Sequence, residues 1–154
     1  MRPFIFALLL ALAFIASAPG SAITFDDIQH GVDTYNSGVE NAPGIVKTLL
    51  GDERIQVNIS RANGTTLQAG IETKNAVIVK TIDGEIEDPT IVVEAEEEAV
   101  AKVYESDDPV EAFQQAQKQG EISIRGTTFT AKLKVNAALS STPALSFFAN
   151  LIGK

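Results

Sequence analysis

The chain has 154 residues, a formal net charge of −8 and no cysteine. This length suits one domain with a single modest core, and the lack of cysteine excludes disulfide bonds, thiolate metal sites and a thiol nucleophile. The acidic charge repels nucleic acid and anionic membrane surfaces, which excludes both as electrostatic partners.

Residues 1–22 are typical of a signal peptide. Arg2 is followed by an unbroken apolar run over 4–16 and then by small residues. Gly20-Ser21-Ala22 fits the cleavage pattern, so that Ile23 would become the first residue of the mature chain. The alternative is an uncleaved anchor, in which case the leader would be the part that contacts the membrane. Both interpretations predict an exported protein, either secreted or associated with the cell envelope.

The mature chain opens with predicted helices. Residues 26–38 form the first, and the apolar side chains spaced for one of its faces are Phe25, Ile28, Val32 and Tyr35. Pro43-Gly44 then breaks the chain, and 45–50 can form a short second helix that Gly51 stops. We treat 23–44 as an N-terminal helical segment that precedes the main domain.

Alternation of apolar and polar residues predicts the first strands. Two alternating runs, 55–60 and 67–72, flank Asn63-Gly64 and predict a β-hairpin. Residues 76–82 are apolar on both faces, which predicts a strand in the centre of the sheet. After a turn, 90–95 is expected to form a fourth strand.

Helix signals follow the fourth strand. Residues 96–106 carry apolar side chains on one stripe and acidic residues at the start. Asp107 or Asp108 can cap the next helix, with Pro109 in its first turn. A last helix is predicted to begin at Thr142-Pro143, and its apolar residues occupy more than one narrow face.

Residues 127–135 show the most regular alternation in the chain. The apolar members of this run are Phe129, Ala131, Leu133 and Val135. The pattern predicts a long strand with one buried face and one solvated face. All elements together predict an α+β domain, with about five strands in a mostly antiparallel sheet and helices packed on one face.

The sequence contains few candidate catalytic or metal-binding residues. His30 is the only histidine, and its acidic neighbours Asp26, Asp27 and Asp33 make a hydrolase one hypothesis. An exposed helical histidine beside acids is far more often a weak ion-pair partner. One histidine without cysteine gives no zinc-ligand spacing, and 83–88 lacks the alternating ligands of a calcium loop. We therefore predict no enzyme activity, no metal and no cofactor.

Two sequons occur, at Asn58 and at Asn63. The second lies in the predicted hairpin turn, where a glycan can be accommodated. Asn-Gly is also favourable turn chemistry in its own right, which explains Asn63 without a glycan.

Most phenylalanines of the mature chain lie near its C-terminal end: Phe113, Phe129, Phe147 and Phe148. One interpretation is that they form the core of the domain. The other is that the last helix closes over a cavity between helices and sheet, which is a usual place for an apolar ligand.

The order of motifs over 45–154 resembles the sterol-carrier-protein (SCP2-like) domain family. The matching run begins with Asp88-Pro89-Thr90-Ile91-Val92-Val93 and a helix that carries Tyr104. It continues with Ser106-Asp107-Asp108-Pro109, Ala112-Phe113 and Gly120-Glu121-Ile122-Ser123-Ile124-Arg125-Gly126. The preceding hairpin fits the family as well, whereas familiar members are intracellular and lack a leader.

The resemblance implies a hydrophobic tunnel that accepts fatty acyl chains, sterols or similar apolar molecules without chemistry. The side chains that it implies for the tunnel and its mouth are Phe113, Ile122, Ile124, Phe129, Leu133, Phe147, Phe148 and Leu151. The resulting hypothesis is an exported, non-enzymatic lipid carrier with no predicted protein partner. The alternative hypothesis is an interaction or structural module of the cell envelope, with a filled core and no ligand.

Overall fold

A computed structural model describes residues 22–138 and 140–151, so the predicted leader lies outside the described residues except for Ala22. The helices in these ranges are α1 (Phe25–Gly38), α2 (Gly44–Leu49), α3 (Glu97–Glu105), α4 (Pro109–Lys118), α5 (Phe129–Ala138) and α6 (Thr142–Leu151). The strands are β1 (Arg54–Ser60), β2 (Thr66–Lys74), β3 (Val77–Asp83), β4 (Ile91–Glu96) and β5 (Ile122–Gly126). A short 3₁₀ turn (Val39–Asn41) follows α1.

The five strands form one sheet in the order β3-β2-β1-β4-β5. Strands β1 and β4 run parallel, and the other three neighbouring pairs are antiparallel. This arrangement confirms the predicted α+β class and the mostly antiparallel five-stranded sheet. The hairpin predicted around Asn63-Gly64 is also present, as β1 and β2.

The register of the sheet places apolar side chains of neighbouring strands on one shared face. The side chains on this face come from four strands, and they include Ile55, Val57, Ile59, Leu67, Ala69, Ile71, Ile91, Val93, Ala95 and Ile122. These residues form one buried cluster with apolar residues of the helices. The helices therefore pack on this face, and burial of apolar surface there is the main stabilising term.

Side chains of α1 hold the helix against the sheet. Thr24 and Asp27 form a capping box at its start. Near its end the Tyr35 hydroxyl donates to the Ala76 carbonyl at 2.6 Å, and burial raises the pKa of this phenol. The Asn36 side chain both donates to the carbonyl and accepts from the amide of Ile78 in β3, at 2.9 and 3.0 Å.

The prediction that 76–82 forms a central strand is wrong, because β3 lies at the edge of the sheet. Its residues Val77 and Val79 are apolar but exposed, by 37% and 56%. The apolar residues on both faces of β3 therefore do not indicate that both faces of this strand are buried. The paired contacts of Asn36 with the backbone of this strand instead occupy edge groups that would otherwise be open to another chain.

The predicted strand over 127–135 is also wrong, because α5 occupies this segment and β5 is the fifth strand. The Thr128 hydroxyl accepts from the Ala131 amide at 3.1 Å, which caps the start of the helix. The buried residues of α5 are Ala131, Val135 and Ala138, at helical spacing. Phe129 and Leu133, which strand geometry placed on the buried face, are exposed.

A partly buried ion pair fixes α5 over one end of the sheet. Lys134 Nζ of this helix lies 2.9 Å from Glu53 Oε1, and the Glu53 side chain is almost fully buried. The other carboxylate oxygen of Glu53 accepts a hydrogen bond from the Thr90 hydroxyl. Since Glu53 precedes β1 and Thr90 precedes β4, these contacts join the helix to both parallel strands.

No helix among the described residues combines the length and apolar character needed to cross a membrane.

Candidate functional site

Five predicted ligand residues lie on α4, β5 and α6 and either belong to the core or pack against it, and α4 contacts both β5 and α6. Phe113 of α4 and Ile122 of β5 are buried in the core. Ile124 of β5, together with Phe147 and Leu151 of α6, is half-buried and packs against that core. We refer to these five residues as the apolar junction.

Local capping positions Phe113 in the apolar junction. The Asp108 carboxylate accepts from the Glu111 amide at 3.1 Å, and Pro109 occupies the first turn of α4. After the helix, the Glu121 amide donates to the Ala116 carbonyl at 2.9 Å and leads the chain directly into β5. The predicted capping by Asp107 or Asp108 is therefore confirmed for Asp108, and it sets how α4 crosses the sheet.

Helix α6 contacts both α4 and α1. The Ser141 hydroxyl accepts from the Ala144 amide at 3.3 Å near its start, and the Ala144 side chain is buried. At its other end, Leu151 approaches α1 so closely that a Cβ added at Gly38 would lie 3.1 Å from Leu151 Cδ2. Phe148 belongs to the same helix, but its side chain lies outside the described part of the structure.

Two predicted ligand residues lie apart from the apolar junction. Phe129 and Leu133 of α5 are 76% and 54% exposed. Their assignment to the inner face depended on the strand that the structure replaces with a helix. Their role in ligand binding stays a prediction, and contact with a ligand would have to occur at the surface.

Two surface pockets are lined mainly by polar and charged residues. One of about 260 Å³ is lined by Ser60, Arg61, Ala62, Glu96, Glu97 and Glu98. The other, of about 280 Å³, is lined by Arg54, Glu72, Lys80, Ile82, Glu85, Ile86 and Glu87. Neither pocket includes a residue of the apolar junction, so neither corresponds to the predicted tunnel.

His30 lies on the exposed side of α1. Its Nδ1 atom is 2.9 Å from the Asp26 carbonyl of the preceding turn, so that this nitrogen contacts the backbone of its own helix. Within 22–138 and 140–151, no three potential metal-ligand side chains are grouped so as to hold a metal ion.

The two sequons differ in accessibility. Asn63 is exposed in the hairpin turn, where its Oδ1 atom accepts from the Thr65 amide at 3.0 Å and from the Thr65 hydroxyl at 2.6 Å. Asn58 is half-buried in β1, and its Oδ1 atom accepts from Gln56 Nε2 at 3.1 Å. Glycosylation of either residue stays a prediction.

Sequence reasoning missed a polar cluster that joins Ile23, Arg61 and Glu97. These residues lie far apart in the sequence, and each belongs to a segment with an ordinary local explanation. Only the packing of α3 beside the end of β1 brings them together.

Comparison with known proteins supports the fold. No protein-family model matches the chain, and no curated protein matches it in sequence. Among solved structures, the sterol carrier protein domain 2 of Helicoverpa armigera aligns with a TM-score of 0.51 and 15% identity, over 90% of this chain and 95% of that one. A ubiquinone synthesis protein described as UbiJ-SCP2 aligns with a TM-score of 0.45 and 13% identity, over 70% and 87%. The palmitated SCP2L2 protein of Aedes aegypti aligns with a TM-score of 0.45 and 19% identity, over 71% and 91%. The alignment with the Helicoverpa armigera domain shows that the chain has the fold of the sterol carrier protein domains.

Proposed function

We propose that this chain is an exported, non-enzymatic protein that binds lipid or another apolar small molecule at the apolar junction. The observation that carries the proposal is the half-buried state of Ile124, Phe147 and Leu151, which pack against the core that contains Phe113 and Ile122. An apolar ligand bound among these side chains would bury the apolar surface that the protein alone leaves partly exposed. The fold shared with a sterol carrier protein domain is consistent with this role.

The driving force would be removal of alkyl groups from water. Each buried methylene contributes about 0.8 kcal/mol, and part of this sum offsets the loss of translational freedom and the ordering of side chains. No polar contact or bond rearrangement is required. This is consistent with a binding protein, in which the apolar junction itself carries no acid, base or nucleophile.

Helix α6 is the element that would have to move for a ligand to bind. Its residues Phe147 and Leu151 pack against the core, while Ser146 and Asn150 on the same helix are exposed. A small displacement of α6 from α4 would open the apolar junction without disturbing the sheet. The same displacement would leave the pairing of β4 with β5 intact.

The junction can be tested by titrating the chain that begins at Ile23 with the fluorescent fatty acid cis-parinaric acid. The substitution Ile124→Ala removes apolar contact from the junction, and we expect it to weaken binding about tenfold. The matched control is Ile82→Ala, because Ile82 is also half-buried but lies in β3, at the opposite edge of the sheet. The site assignment is wrong if both substitutions change the affinity equally.

Export and processing form a second part of the proposal. It is supported by the signal-peptide pattern of 1–22 and by the burial of Ile23, which follows the exposed Ala22. Expression of the full chain in an exporting host, followed by mass measurement, should give a protein that begins at Ile23. A retained leader in the exported fraction would indicate a membrane anchor instead.

A second candidate function is an interaction module of the cell envelope with a filled core. The exposed apolar side chains Phe129 and Leu133 on α5 favour this alternative. It predicts that Leu133→Ser releases the chain from the envelope fraction, whereas Val79→Ser does not. The control is matched, because Leu133 and Val79 are 54% and 56% exposed.

A further inference from the structure

The backbone of Ile23 is held by two charged side chains. Its amide nitrogen donates to Glu97 Oε2 at 2.9 Å, and its carbonyl oxygen accepts from Arg61 Nη2 at 2.6 Å. Arg61 Nε lies 3.6 Å from the same Glu97 oxygen, within ion-pair range. The Ile23 side chain is only 2% exposed. The residue is therefore anchored by its apolar side chain and by both of its backbone polar groups.

The surroundings of this contact are charged and open to solvent on one side. Glu97 begins α3, Arg61 follows β1, and both line the pocket of about 260 Å³ together with Glu96 and Glu98. Ala22 is exposed, and Ile23 is the first buried residue among those that the structure describes. The bond between Ala22 and Ile23 thus marks the boundary of the described core.

Cleavage at this boundary would change the chemistry of the contact. Hydrolysis breaks the bond between the Ala22 carbonyl carbon and the Ile23 nitrogen, and water supplies the new carboxylate oxygen and a proton to the amine. At neutral pH the α-amino group then becomes an ammonium with three donors and a positive charge. A charge-assisted hydrogen bond to a carboxylate is roughly twice as strong as a neutral one.

We propose that Glu97, positioned by Arg61, is a binding site for the α-ammonium group that processing before Ile23 creates. This inference rests on the export and processing proposed above. Before cleavage, Glu97 holds a neutral amide. After cleavage, the same oxygen faces a cation, and the N-terminus locks α1 to the start of α3. Glu96 and Glu98 add negative charge around the pocket, which offsets the positive charge of Arg61.

The test compares three purified chains that differ only at the N-terminus. The first begins with a free Ile23, the second carries an acetyl group on Ile23, and the third begins at Gly20 and so keeps Gly20-Ser21-Ala22. All three retain the whole described core, whose first buried residue is Ile23. We expect the free Ile23 chain to unfold about 3 °C above the other two in thermal denaturation.

Substitutions assign this difference to Glu97. In Glu97→Gln chains, the difference in melting temperature between free and acetylated Ile23 should vanish, since the ammonium then faces a neutral amide. In Glu105→Gln chains this difference in melting temperature should persist, because the control removes the same charge from an exposed residue at the other end of α3, outside the pocket. Should Glu97→Gln fail to fold, the comparison of free with acetylated Ile23 still decides. Equal midpoints for those two chains would overturn the proposal, as would an unchanged difference in Glu97→Gln.

This result is independent of lipid binding and of export in the cell. The titration with cis-parinaric acid on the same free Ile23 chain reports on the apolar junction. The mass of the exported chain reports on cleavage. A protein that binds lipid but shows no N-terminal effect would reject the Glu97 site alone.

Discussion

At the scale of single residues, Gly126 decides how the chain turns from β5 into α5. A Cβ added at this position would lie 2.4 Å from the Lys132 amide nitrogen and 2.5 Å from the Ala131 carbonyl carbon. Side chains cannot approach backbone atoms so closely, and thus the helix crosses the strand only over a glycine. The close approach explains why the apolar run after Gly126 does not continue along the sheet.

The role of Gly126 gives a prediction about stability. Gly126→Ala forces α5 away from β5, and we expect it to lower the free energy of unfolding by about 1–3 kcal/mol, or more where the backbone cannot shift. Gly44→Ala is the matched control, because a Cβ there meets no atom within 4 Å. Urea denaturation of both variants measures the difference. Equal stabilities for the two variants would contradict the close packing described at Gly126.

At the scale of elements, the sequence predicted those helices and strands that have strong local signals. The hairpin around Asn63-Gly64 and the helix capped by Asp108 were both correct, since turn and cap residues act within a few positions. Phe113, Ile122 and Ile124 lie in the core or against it, and their role in ligand binding stays a prediction. Their positions depended on these same local signals.

The errors arose where a pattern fits two structures. Residues 129–135 alternate as a strand does, yet Ala131, Val135 and Ala138 also match one face of a helix. Which apolar residues are buried depends on neighbours distant in sequence, such as Glu53, which pairs with Lys134. The prediction of Phe129 and Leu133 as inward residues failed for this reason.

The helical form of α5 predicts opposite outcomes for two neighbouring residues. Val135→Ala removes buried methyl groups and should cost about 1–3 kcal/mol of unfolding free energy. Leu133→Ala changes an exposed side chain and should cost no more than about 0.5 kcal/mol. In a strand, both residues would lie on the buried face. Comparable large losses for both variants would therefore contradict the helix.

At the scale of the whole molecule, the apolar junction includes residues of β5, at one edge of the sheet. The rest of the sheet and the contacts of Ile23 lie outside the junction. Strand β5 is an edge strand that pairs with β4, and α4 and α5 contact it. A guest could enter there while the pairing of β1 with β2 and β4 stays intact.

The central claim is that this fold accepts an apolar guest. Native mass spectrometry of the chain beginning at Ile23, purified without detergent and incubated with palmitate, tests it most directly. We expect a complex with one bound fatty acid, depleted in Ile124→Ala and retained in Ile82→Ala. Spectra that show only the free protein, under conditions where a known fatty-acid-binding protein retains its ligand, would contradict the account.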